Sequence, residues 1–102
     1  MKRGEVWWWQ PPNEKPRPTC ILTRDDAIPV LTSLLVVPAT TTRRGIPTEV
    51  PLELEDGMPK PCVLTCDSMW TVSKALLVER ITMLPPSRMH EVCGTLALAT
   101  GC

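Results

Sequence analysis

Arg17, set between Pro16 and Pro18, and the run Thr40-Thr41-Thr42-Arg43-Arg44 are the residues of this chain best suited to chemistry on a phosphate. Arg17 heads one apolar stretch. The threonine-arginine run closes the next, in Val37-Pro38-Ala39-Thr40-Thr41-Thr42-Arg43-Arg44-Gly45-Ile46-Pro47. Both therefore fall where a buried strand gives way to a loop, rigidly held yet open to solvent. A guanidinium presents N–H donors in a planar fork that matches phosphate oxygens, and a threonine hydroxyl adds a further donor. Arginine keeps its proton at all working pH values, so it suits charge stabilisation better than proton abstraction. Taken singly, Arg17 also fits a surface arginine at a strand start, and Arg43-Arg44 a solvated turn. Their combination on short, proline-bounded segments favours an anion site.

Other chemistries find less support. His90 is the sole histidine and falls on the polar side of a predicted helix, so a two-histidine acid–base mechanism within one chain is excluded. Cys62 and Cys66 are four residues apart and lack a tight Cys-x-x-Cys knuckle, so neither a metal site nor a cofactor is expected. No phosphate-binding or dinucleotide glycine pattern is present. Asp25-Asp26 and Glu55-Asp56 read as turn residues. In a strand, Trp7 and Trp9 share one face while Trp8 points to the other. With no Tyr or Phe, these three and Trp70 are the only stacking platforms. They suit a core, a dimer interface or a nucleobase.

Twelve prolines punctuate the elements that must position these groups. Strands are predicted at residues 5–9, 19–23, 31–37, 48–54, 62–66 (running on towards 69–70) and 77–83, with a proline loop at 11–16 and a turn at 73–76. Pro51 cannot donate to a ladder, which places the 48–54 strand at an edge. Beyond Pro85-Pro86, Ser87 is the predicted cap of a helix. Met89, Val92, Cys93, Leu96 and Ala99 follow at helical spacing, and Gly101 suits the C-terminus. The fold expected is mainly β with a C-terminal helix (α+β), a small, strongly bent sheet or barrel.

With 102 residues the chain makes one domain, 1–102. Its net charge is zero, yet residues 1–50 hold seven Lys/Arg against five acids and residues 51–102 four against six. A local basic patch can hold phosphate without a basic protein. Five scattered cysteines are a poor disulfide framework and fit free thiols in a reducing cytoplasm. Met1-Lys2-Arg3 leads into Gly4-Glu5 rather than an apolar segment, so no secretory leader is expected. The longest uncharged stretch, 27–42, is too short and proline-broken to span a membrane.

Lys2-Arg3-Gly4-Glu5-Val6-Trp7-Trp8 resembles the opening of MazF/PemK-type toxins. Glu14…Arg17-Pro18 before an apolar strand is similar to their second-strand signature, and Val37-Pro38-Ala39-Thr40-Thr41 to their third. Gly45-Ile46-Pro47-Thr48-Glu49-Val50 and Cys62-Val63-Leu64-Thr65-Cys66-Asp67-Ser68 follow in the family's order. The resemblance implies an SH3-like, PemK-like barrel, a two-fold homodimer, and a toxin silenced by a cognate antitoxin. Its activity would be ribosome- and metal-independent, sequence-specific cleavage of single-stranded RNA. Arg17 and Thr40 would be the catalytic pair, with Glu14 as the accompanying acid. Asn13, Lys15, Thr41, Thr42, Arg43, Arg44, Asp67 and Ser68 would face RNA. The loop before Arg17 is shorter than in many relatives and lacks their glycines, and Asp67-Ser68 replaces their acid–Gln pair. Two other readings remain open at this point. One is a gyrase-poisoning toxin of the same architecture, the other a non-catalytic SH3-like module that binds through tryptophan.

Overall fold

Seven strands and one helix organise residues 1–102, all of which the computed structural model describes. The strands are β1 (Glu5–Trp9), β2 (Arg17–Ile21), β3 (Ser33–Thr40), β4 (Glu49–Leu52), β5 (Cys62–Thr65), β6 (Trp70–Ser73) and β7 (Leu77–Met83), followed by the helix α1 (Pro86–Thr100). All pairings are antiparallel, in the order β4-β5-β3-β2-β1-β7, with β6 added on β3. β4 is an edge strand, as Pro51 requires.

β3 is the hinge of the sheet. Its first half, Ser33 to Val36, pairs with β6, and its end, Ala39 and Thr40, pairs with β5. Pro38 falls in the gap where β3 changes partner on that edge, so its missing N–H removes no bond to either strand. That is why β3 runs through a proline to Thr40, beyond the predicted end at residue 37. The predicted 62–66 strand is likewise divided: a 3-10 turn, Cys66–Ser68, separates β5 from β6, which turns back onto β3.

The sheet curls until its outer strands meet. Thr82 Oγ1 on β7 donates to the carbonyl of Asp56, just past β4, at 3.0 Å. Gly57 follows with φ 90°, and a Cβ there would run into the Thr82 hydroxyl. Only glycine therefore permits this closure. The larger core lies inside the curl, formed by Val6, Cys20, Val37, Ala39, Val50, Leu52, Leu64 and Cys66 with Met89 and Val92 of α1. A smaller core on the opposite face gathers Ile21, Ile28, Leu34, Val36, Val72 and Leu77, with Trp7 and Trp9 packed against it.

The helix begins two residues earlier than predicted. Pro85 is its N-cap and Pro86 its first residue, so Ser87 lies inside the helix and does not cap it. Proline is well placed there because a first-turn N–H has no intrahelical acceptor. Gly101 ends the helix in the left-handed conformation, φ 74°. No helix of the chain is long and apolar enough to cross a membrane.

Candidate active-site cleft

The register of β2 on β3 decides the geometry of the site. Thr19 faces Pro38, Cys20 faces Val37 and Ile21 faces Val36. Carried two residues towards the start of β2, the same register sets Arg17 opposite Thr40. The two lie at the mouth of one cleft of about 540 Å³, with Trp8, Pro16, Pro18, Ala39, Thr41, Met58, Pro59, Lys60 and Cys62 as its other walls. That volume lies within the roughly 300–1,000 Å³ typical of clefts that hold small molecules.

Arg17 is exposed and takes no part in the ion pairs of the protein, so its fork of donors is free for a ligand. Thr40 is half-buried, and its Oγ1 accepts the Thr42 backbone N–H at 3.2 Å. That bond uses an acceptor lone pair and orients the oxygen, while the hydroxyl proton stays available to a phosphate oxygen. The cleft floor is apolar, with Ala39, Met58 and Cys62 all buried. Burial raises the Cys62 thiol above its usual pKa, an effect that Arg43 opposes without overcoming it. Cys62 is therefore a protonated wall and not a nucleophile at neutral pH. Cys20 and Cys66, pushed by burial to about 12 and about 11, are more inert still.

The remaining sequence candidates divide. Thr41 lines the cleft; Thr42 and Arg44 stand exposed on the loop beyond it. Arg43 is exposed too, but its guanidinium pairs with Glu53 at 3.1 Å. The Glu49 carboxylate accepts the backbone N–H groups of Arg44 and Gly45, which fixes the loop. Asn13, Glu14 and Lys15 are exposed on the loop before Arg17 and do not line the cleft. Gln10 Nε2 holds that loop through the Glu14 carbonyl at 3.2 Å. Asp67 and Ser68 follow the far end of β5 from Cys62, where Thr48 Oγ1 donates to the Asp67 carboxylate. His90 is exposed on α1, away from these groups. No three His, Cys, Asp or Glu side chains converge as a metal-binding set.

Sequence reasoning missed Met58, Pro59 and Lys60. A signal existed: Lys60 sits between Pro59 and Pro61, the same proline-bracketed cation as Pro16-Arg17-Pro18.

The sequence pattern of the PemK-like, MazF-like toxins of type II toxin–antitoxin systems matches residues 2–100. The chain belongs to that family. A probable endoribonuclease, MazF5 of Mycobacterium tuberculosis, is 44% identical over 101 residues, covering 98% of this chain and 93% of the relative. Among solved structures, the M. tuberculosis toxin MazF-mt6 superposes with a TM-score of 0.87 at 34% identity, over 95% of this chain and 96% of that one. A mycobacterial endoribonuclease bound to its cognate antitoxin gives 0.88 at 27% identity, over 99% and 95%. In this PemK-like chain, the cleft at the β2–β3 strand ends brings together a free arginine, a threonine hydroxyl and a lysine.

Proposed function

We propose that this toxin is an endoribonuclease that cuts single-stranded RNA by internal transesterification in the Arg17–Thr40 cleft. The observation that carries this reading is the pairing of an uncommitted guanidinium with an oriented hydroxyl across one strand register. RNA supplies its own nucleophile. The 2′-oxygen bonds to the adjacent phosphorus as its proton leaves, the P–O5′ bond breaks, and O5′ takes up a proton. The products are a 2′,3′-cyclic phosphate and a 5′-hydroxyl. The protein has to hold the attack in line and stabilise charge on the phosphorane oxygens.

Arg17 supplies that charge stabilisation, and its fork of N–H donors also hydrogen-bonds the departing O5′. Thr40 donates to a non-bridging oxygen, and Lys60 pairs a neighbouring phosphate. Glu14 either orients Arg17 or accepts the 2′-hydroxyl proton. The second role requires its loop to approach the cleft. The protein acts as a single domain, 1–102, in a two-fold dimer. It is held inactive in the cytoplasm by an antitoxin, as the antitoxin-bound mycobacterial neighbour supports. Its free thiols suit a reducing compartment.

Purified protein incubated with total RNA should yield fragments with 5′-hydroxyl ends. Arg17→Ala should lower kcat by about 10²–10³-fold, the usual cost of one transition-state donor, with the fold intact by circular dichroism. Cleavage by Arg17→Ala at the wild-type rate would remove Arg17 from the chemistry. A strand with deoxyribose at the scissile position should bind and remain whole.

A further inference from the structure

Trp8 is a wall shared by two hollows. On one side lies the Arg17–Thr40 cleft. On the other is a second hollow of about 240 Å³, lined by Trp8, Gln10, Pro16, Val78 and Glu79. Glu79 reaches it because of a break in strand register. Trp9 faces Leu77, but Trp8 faces Glu79, so Val78 is an extra residue in β7, a β-bulge. In a regular strand Leu77 and Glu79 would share a face. The bulge lets Leu77 enter the smaller core beside Trp9 while Glu79 turns to the face of Trp8. Re-aiming a side chain in this way is a recurrent use of bulges near functional sites.

The resulting carboxylate is uncompensated, since none of the five ion pairs of the protein includes Glu79. Beside a cleft that takes in a polyanion, a bare acid repels phosphate. It attracts one part of a nucleic acid, the N–H edge of a base. We propose that the hollow behind Trp8 is a base-reading subsite. One nucleobase flanking the scissile phosphate stacks on the Trp8 indole, and Glu79 accepts hydrogen bonds from its N–H edge. The inference rests on the reading of the adjacent cleft as an RNA-cleaving site. Gln10 provides the second polar contact: one of its N–H groups holds the Glu14 carbonyl, which leaves another N–H and its own carbonyl free.

The chemistry of Glu79 selects among bases. Guanine offers two adjacent donors, N1–H and the 2-amino group, to one carboxylate. Adenine and cytosine each offer an amino group. Uracil has a single N–H between two carbonyl oxygens, both of which face a carboxylate unfavourably. The subsite therefore favours an amino-bearing base over uracil, guanine first. Stacking on Trp8 adds affinity without sequence preference, because every base has a π-face.

The test is cleavage of short RNAs in which each position flanking the cut is varied in turn, with the wild type, Glu79→Gln and Trp8→Leu compared. The wild type should prefer an amino-bearing base over uracil at one flanking position by about tenfold or more in kcat/KM. Glu79→Gln should collapse that ratio at that position and leave the ratios at other positions as they were. A merely structural role would not produce such a change. Trp8→Leu should raise KM by about tenfold for all four bases alike. If Glu79→Gln keeps every wild-type ratio, the subsite is wrong while the cleavage reading stands. A Glu79→Gln effect confined to inhibition by antitoxin would make the hollow a protein-docking site and overturn the proposal. A wild type that cuts no RNA overturns both readings.

Discussion

Glu5 shows how one residue on β1 fixes the side chains around it. Burial pushes its carboxyl pKa up, yet the net shift from about 4.5 is downward. The Trp7 indole N–H at 3.0 Å and the Lys2 backbone N–H at 2.9 Å both donate to Oε1, and Arg80 lies 3.2 Å from Oε2. These bonds, with the positive charge of the N-terminus, favour the ionised form more than burial disfavours it. The Trp7 ring is thus held against the smaller core, and strand alternation then turns Trp8 to the cleft. A depressed folded pKa gives stability that is complete above the unfolded value and is lost as pH falls through the folded one. Glu5→Gln keeps an acceptor oxygen but loses the charge that strengthens these bonds, and should cost about 1 kcal/mol at pH 7. In urea titrations the gap between variant and wild type should shrink as pH drops below 4.5. A gap that is constant with pH would show that the charge of Glu5 is not what stabilises this corner.

At the scale of elements, the curled sheet is locked where β4, β7 and α1 meet. Arg88 on α1 donates to both oxygens of the buried Asp56, at 3.3 and 3.1 Å, and also to Glu91 at 2.8 Å. Asp56 in turn accepts the Glu53 backbone N–H, which caps the 3-10 turn Leu54–Asp56. Removing the arginine leaves a buried carboxylate with one partner fewer. Arg88→Ala should accordingly cost about 2–3 kcal/mol, measured by denaturant unfolding. Because Gly57 to Pro61 hangs from this junction, the same variant should also loosen Lys60 and raise KM for RNA. Glu55-Asp56 reads from sequence as a plain turn because nothing local announces a partner 32 residues away. The same limit explains β6 and the course of β3. Trp70–Ser73 is four residues long, and only its pairing with Ser33 to Val36 makes it a strand. Pro38 reads as a strand end until β3 is seen to change neighbours around it. Arg17 and Thr40 were legible because proline brackets and hydroxyl runs are local signals. The Val78 bulge was not, since register is a property of two strands together.

For the whole molecule, charge placement matters more than the zero net charge. The cations near the cleft are not equivalent. Arg17 and Lys60 line it, and Arg43 and Arg44 follow Thr42 on the adjoining loop. Arg43 is already paired with Glu53 at 3.1 Å, whereas the side chain of Arg44 is in no ion pair. Only its backbone N–H is engaged, by Glu49, which steadies the loop without touching the guanidinium charge. Binding single-stranded RNA releases counterions, and the logarithm of affinity falls with that of salt by about 0.7 per phosphate neutralised. Arg44→Ala should thus flatten the salt dependence of KM by about 0.7. Arg43→Ala should flatten it less, because a guanidinium already paired with Glu53 takes the place of few counterions on RNA, while the freed carboxylate adds repulsion. Arg43→Ala should instead weaken RNA binding by an amount that Glu53→Gln restores. Equal slopes for the two variants, or no rescue by Glu53→Gln, would show that RNA breaks the Arg43–Glu53 pair and uses both arginines alike.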